Sequence, residues 1–210
     1  MRHKSSWVFA LVFFWACNNG TKPGDASGTN AATAHEGHNM TVVSNDYSDS
    51  VNKGLATPDT LKGSPHRSAM ATVNGADIHI EYNSPGVKER IIWGGLVPYD
   101  KVWATGAHKA TSVRFSHDVM INDKKVPAGQ YAFFTIPGKD KWIVVLNTRY
   151  DQHLADEYSE KEDVIRAEVK PENHELTHRL TYAVNKIDDK SGEIVMQWEK
   201  ILIRLPFLTP

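Results

Sequence analysis

The sequence predicts an all-β protein, an antiparallel β-sandwich or barrel-like domain preceded by a disordered linker. From residue 64 to residue 210, Val, Ile, Tyr, Phe and Trp come in short runs separated by turn residues. The hydrophobic period within those runs is mostly two, and no long helical pattern alternates with them. Ile78, Ile80 and Tyr82 alternate with Asp77, His79 and Glu81, the pattern of a half-buried strand. Asn74-Gly75 separates that strand from Ala71-Thr72-Val73, and both residue types accept the positive φ of a two-residue hairpin turn. Val113-Arg114-Phe115 and Val119-Met120-Ile121 read as strands, after which Asn122-Asp123 turns the chain. Strands are also expected over 131–136, 142–146, 164–169 and 194–198, with Ile201, Ile203 and Leu205 alternating near the end. One short helix is expected over 154–158.

The N-terminus carries an address. Arg2 and Lys4 precede an apolar run over 7–15 that is too short to span a bilayer, and Phe14-Trp15-Ala16-Cys17 resembles a bacterial lipobox. The expected organisation is a lipoprotein signal peptide over 1–16, a lipid-anchored flexible linker over 17–63 beginning at lipidated Cys17, and a folded domain over 64–210. The alternative is ordinary secretory cleavage near Ala16, with Cys17 left as a thiol. Acyl chains on Cys17 would hold the protein to a membrane by about 0.8 kcal/mol per buried methylene. The expected location is the bacterial cell envelope, at the outer membrane facing the periplasm, with the membrane as partner.

Composition narrows the chemistry. Residues 18–63 are poor in aromatic and branched apolar side chains, too poor to offset their ordering entropy. Cys17 is the single cysteine of 210 residues, so intramolecular disulfides, thiolate zinc sites and a cysteine nucleophile in the domain are excluded. Lys plus Arg at 24 against Asp plus Glu at 25 gives no global field that would steer the chain to nucleic acid.

The run Leu96-Val97-Pro98-Tyr99-Asp100-Lys101-Val102-Trp103-Ala104-Thr105-Gly106-Ala107-His108-Lys109-Ala110-Thr111 resembles the signature of the bacterial family called domain of unknown function 2911. Ser64-Pro65-His66-Arg67, the stretch from Tyr82 to Arg90, Val126-Pro127-Ala128-Gly129-Gln130-Tyr131, Phe134-Thr135-Ile136-Pro137-Gly138 and Trp142 extend the resemblance in order. It implies an exported all-β domain over 64–207 and brings no established activity. The family pattern has Arg, Asn and Glu where this chain has Ala104, His108 and Lys109, while Arg90, Trp103, Thr105, Gly106 and Thr111 keep to it.

The long connection over 83–106 carries Arg90, Trp93, Tyr99 and Trp103, and long loops in compact domains are often binding surfaces. Aromatic faces beside an Arg fork would hold a sugar ring or an anionic group. Arg90, Trp93, Trp103, Thr105, His108 and Lys109 are therefore the candidate residues for non-catalytic binding of a small polar or carbohydrate ligand. The competing reading is that Trp93 and Trp103 plug one end of the sandwich. A hydrolase with its site near Trp103 and His108 is the enzymatic alternative.

Two motifs resemble metal sites. His35, His38 and Met40 lie close together in the linker, and two imidazoles with a thioether suit copper. His174-Glu175-Leu176-Thr177-His178 matches the zinc-peptidase pattern H-E-x-x-H. On a helix its imidazoles would share a face about 6 Å apart; on a strand they would stand about 13 Å apart and share no metal. The alternation Leu176, His178, Leu180, Tyr182, Val184 favours the strand; no His follows His178, and Glu199 is the only later acid near the spacing of a third ligand. No cofactor is expected beyond the copper candidate.

Overall fold

The computed structural model describes residues 47–210; Cys17 and the group His35, His38 and Met40 lie outside the described residues. The element order is α1 (Tyr47–Asn52), β1 (His66–Val73), β2 (Ala76–Asn83), β3 (Ser112–Phe115), β4 (Val119–Ile121), β5 (Lys124–Val126), β6 (Gly129–Ile136), β7 (Trp142–Asn147), β8 (Asp163–Val169), β9 (Glu172–Lys186) and β10 (Ser191–Leu208). All strand pairings are antiparallel, in a six-stranded sheet β1-β2-β3-β6-β7-β8 and a four-stranded sheet β5-β4-β10-β9. This is the expected β-sandwich.

The turn chemistry behaves as the sequence requires. Val73 pairs with Ala76 across Asn74 and Gly75, whose φ angles of 49° and 77° are those of a two-residue hairpin. Asn122 and Asp123, with φ of 48° and 59°, make the same kind of turn between β4 and β5. Side chains from both sheets meet in one apolar core: Ile78, Ile80, Val113, Phe115, Phe133 and Leu146 from the larger, Leu180, Met196, Trp198, Leu205 and Phe207 from the smaller.

The larger sheet is also covered on its outer face. Ala132 and Phe134 of β6 and Val145 of β7 form a second cluster with Ala104 and Ala110, and Val102, Leu154, Ala155 and Tyr158 pack against it. Consecutive residues of β6, from Tyr131 to Thr135, are therefore buried although their side chains alternate between faces. Loops supply this second layer, and the expected helix over 154–158 is one of them. Leu154 takes a φ of 49° and its N–H donates to His108 O at 2.8 Å, so the chain there turns instead of winding, and a 3-10 turn follows at Glu160–Glu162.

The stretch from Tyr47 to Gly63, expected as the end of a flexible linker, packs on the sandwich as a strap. Arg179 of β9 is wholly buried and draws that stretch in. Its guanidinium donates to Asp59 Oδ1 at 2.9 Å, Leu61 O at 2.7 Å, Gly63 O at 3.2 Å and Ser84 O at 3.0 Å. The Asn52 amide donates to Arg179 O at 2.9 Å and accepts from Arg179 N at 2.7 Å, so a side chain caps the edge of β9 as a neighbouring strand would. Polar composition misled the expectation because the apolar surface it lacks is replaced here by one buried cation whose two terminal nitrogens make four hydrogen bonds.

Candidate functional site

The long connection between β2 and β3 divides into a plug and a loop tip. Trp93 and Trp103 pack against the main core with Trp142 and Trp198, at ring-centroid distances of 4.9 to 5.8 Å. Trp103 also pairs with Thr135 through reciprocal backbone bonds of 2.8 and 3.0 Å, so the connection runs beside β6 for one step. These two indoles close one end of the sandwich and do not form an open stacking platform. Arg90 is exposed, and its guanidinium donates to Gly86 O and Val87 O of its own loop. Arg90, Trp93 and Trp103 are thus not brought together as a ligand surface.

The loop tip over 104–110 is clamped at its base. Thr111 N donates to Ala104 O at 3.1 Å, the Thr111 hydroxyl to Thr105 O at 3.0 Å, and the Tyr182 hydroxyl to Thr105 O at 2.9 Å. Thr105 is fully buried, with its hydroxyl 3.0 Å from that of Thr135. Burial drives the Tyr182 hydroxyl well above its ordinary pKa, which keeps it a neutral donor. Gly106 has no room for a side chain, since a Cβ would stand 2.7 Å from Thr111 Oγ1. Thr105 is a scaffold residue; His108 and Lys109 at the exposed tip are the part of the prediction that faces solvent.

A second loop is fastened to this tip. Ala110 N donates to Gln152 O at 3.1 Å, and the buried Gln152 amide bonds Arg149 O at 2.6 Å and Glu157 N at 2.8 Å. Arg149 forks onto Glu162 and reaches Glu157 at 3.0 Å. Tyr158, its hydroxyl on Asp163 at 2.8 Å, is pushed up to about 12 by burial and by that carboxylate. The loop so held presents Tyr150 and Asp151.

Between the two loops and the outer face of the larger sheet lies a cavity of about 120 Å³. Glu81 and Asn83 of β2, Ser112 of β3 and Gln130 of β6 form its floor, with His66 at one side; Lys109, Tyr150 and Asp151 form its wall. Lys109 Nζ bonds Asp151 Oδ1 at 3.1 Å and Gln130 Nε2 donates to Ser112 Oγ at 3.2 Å. Of the predicted residues only Lys109 lines this groove, with His108 beside it in the chain. Glu81 was legible as an outward position of an alternating strand; Tyr150, Asp151 and Gln130 had no signal beyond residue type.

The H-E-x-x-H segment lies on β9, with His174 and His178 on an extended strand and His174 Nδ1 donating to Glu175 O at 2.6 Å. Glu199 stands at a bulge of β10, with a φ of 55°, opposite Thr177. The helical geometry that a shared metal would need is absent, and no cluster of three or more His, Cys, Asp or Glu side chains able to hold a metal occurs among the described residues.

Residues 64–207 match the family described as protein of unknown function (DUF2911). The chain belongs to that family. No curated protein and no solved structure matches it. The departures from the family pattern fall on the loop tip. His108 has a φ of 63°, in the left-handed region that Asn tolerates best among residues with a side chain, which gives the family's Asn a backbone reason. Ala104 is buried against Phe134 and Val145, a seat for a small side chain. Lys109 reverses the family's charge and meets Asp151.

Proposed function

We propose that this member of the family is an envelope lipoprotein, held through Cys17, that binds a sugar or another small polyol without turning it over. The observation that supports the reading is the groove beneath Lys109. Five side chains of alternating donor and acceptor character, Glu81, Ser112, Gln130, Lys109 and Asp151, converge there beside the half-exposed ring of Tyr150. Polyols need such a mixed set because each hydroxyl both donates and accepts, and a ring face adds stacking. The interlocked loops order these groups before a ligand arrives, which lowers the entropic cost of binding.

A panel of monosaccharides and linear polyols, screened by saturation-transfer NMR against the chain carrying Cys17→Ser, tests the binding. At least one sugar is expected to give a signal that Tyr150→Ala and Gln130→Ala abolish and Arg90→Ala leaves intact. A silent panel, or signals indifferent to Tyr150, removes the proposal. Palmitate labelling in a bacterial host tests the anchor; label equal in the native and Cys17→Ser chains would overturn it.

A further inference from the structure

β1 and β9, the outermost strands of the two sheets, run side by side, and a cavity of about 210 Å³ opens where they meet. Its lining mixes apolar groups, Met70 and Val184, with polar ones, Arg67, Lys53, Tyr82 and Thr181. Arg67 is nine-tenths buried. It donates to Thr181 Oγ1 at 3.2 Å, lies 5.8 Å from the Tyr82 ring centroid and forms an ion pair with Asp49 of α1. The Tyr82 hydroxyl stands 3.5 Å from Thr181 Oγ1 and is held neutral by burial. A guanidinium fork flanked by hydroxyls is the arrangement that recognises a carboxylate.

The carboxylate found there is the protein's own. Asp49 comes from a six-residue helix that precedes the family domain. That helix is held by Asp49 on Arg67 and by Asn52 on the β9 backbone, and one of its buried groups is left unpaired. The Ser48 hydroxyl is buried with no hydrogen-bond partner among the described residues, a cost that lifting α1 would relieve. Lys53, Gly54 and Leu55 follow it, all exposed, with Gly54 at a φ of 71°. They separate α1 from the second anchor, where Arg179 grips Asp59, Leu61 and Gly63.

We infer that the slot between β1 and β9 is a second binding site, for a carboxylate with a short apolar tail, and that Asp49 occupies its anion position until such a ligand replaces it. The tail would lie along Met70 and Val184 while Arg67 and Thr181 hold the head. The site is separate from the groove of Lys109 and does not depend on what binds there.

Calorimetric titration of the full chain with hexanoate, and with hexanol as the uncharged control, tests this. Asp49→Ala is expected to bind hexanoate at least about tenfold more tightly than the native chain, a difference of one decade in Kd. Arg67→Met added to Asp49→Ala is expected to abolish that binding, hexanol is expected not to bind, and Tyr150→Ala should change nothing. Equal affinity of the native and Asp49→Ala chains, or hexanol binding as well as hexanoate, overturns the inference. Should circular dichroism show that Asp49→Ala has not folded, Asp49→Asn, which keeps the side-chain shape, is subjected to the same titrations with the same criteria.

Discussion

The strap over 47–63 and the connection over 84–111 are both long, irregular and polar in part, yet they behave in opposite ways. The strap has few apolar residues and is bolted down by buried cations, Arg179 on Asp59 and Arg67 on Asp49. The connection carries the aromatic and basic residues of a recognition loop and spends its indoles inside, against Trp142 and Trp198. Composition reports how much apolar surface a segment can bury, and says little about whether a partner elsewhere in the chain will satisfy its polar groups. Aromatic content in a loop is equally mute about which side of the loop faces water.

That contrast can be broken by mutation. The largest effect is expected from Arg179→Ala, which leaves the Asp59 carboxylate buried and unpaired; such losses cost about 3–5 kcal/mol. Urea unfolding would read the loss, and limited proteolysis would show cleavage between residues 53 and 63 that the native chain resists. Trp103→Ala comes next, at about 2–3 kcal/mol, below the range for a fully buried indole because Trp103 is only partly covered. An unchanged unfolding midpoint would return Trp103 to the role of an exposed platform. Gly75→Ala, at a φ of 77° in the first hairpin, should cost about 1 kcal/mol in the same assay.

Smaller effects separate surface from interior. Lys109→Ala removes an ion pair whose two side chains are both exposed, so less than about 1 kcal/mol of stability should change, and any larger consequence should appear in sugar binding alone. The smallest effect concerns pH. Lys125 and the Ala128 N–H hold the exposed Asp118 carboxyl below its ordinary range. A depressed carboxylate stabilises the fold above its unfolded pKa, near 4, and that contribution disappears as pH falls through the folded value. Asp118→Asn should therefore lower stability slightly at neutral pH and leave it unchanged at the acid end, so that the profile between them is flatter, as urea midpoints at pH 3 to 7 would show.

The strands were legible because their signals are local. Asn74-Gly75 and Asn122-Asp123 mark their turns by residue type alone, and Ile78, Ile80 and Tyr82 mark a buried face by period. The alternation expected from Leu176 onward holds for Leu180, Tyr182 and Val184, but Leu176 is exposed and Thr177 and Arg179 are buried, because the pairing of β9 with β10 shifts at Glu199. A bulge moves the inward face by one residue, and nothing in β9 itself announces it. The groove stayed hidden for a related reason. Glu81, Ser112, Gln130 and Tyr150 come from four places in the chain, and only the register of β2, β3 and β6 puts Ser112 opposite Glu81 and diagonal to Gln130. Arg179 carries no local signal, since burial of a cation depends on acceptors more than 100 residues away.

The reach of that arginine sets an order of events. Its acceptors at Asp59, Leu61 and Gly63 are made early in synthesis, which proceeds from the N-terminus, while β9 arrives 116 to 120 residues later. The Asp59 end of the strap has no cation to grip until β9 has formed, and closing a loop of that length is an entropic cost met only when the intervening strands have already gathered. Docking of residues 59–63 is therefore the closing step of folding, a clasp that shuts on a finished sandwich. Until it shuts, the stretch is open to any protease nearby, so a chain that survives intact there is one whose final sheet has paired.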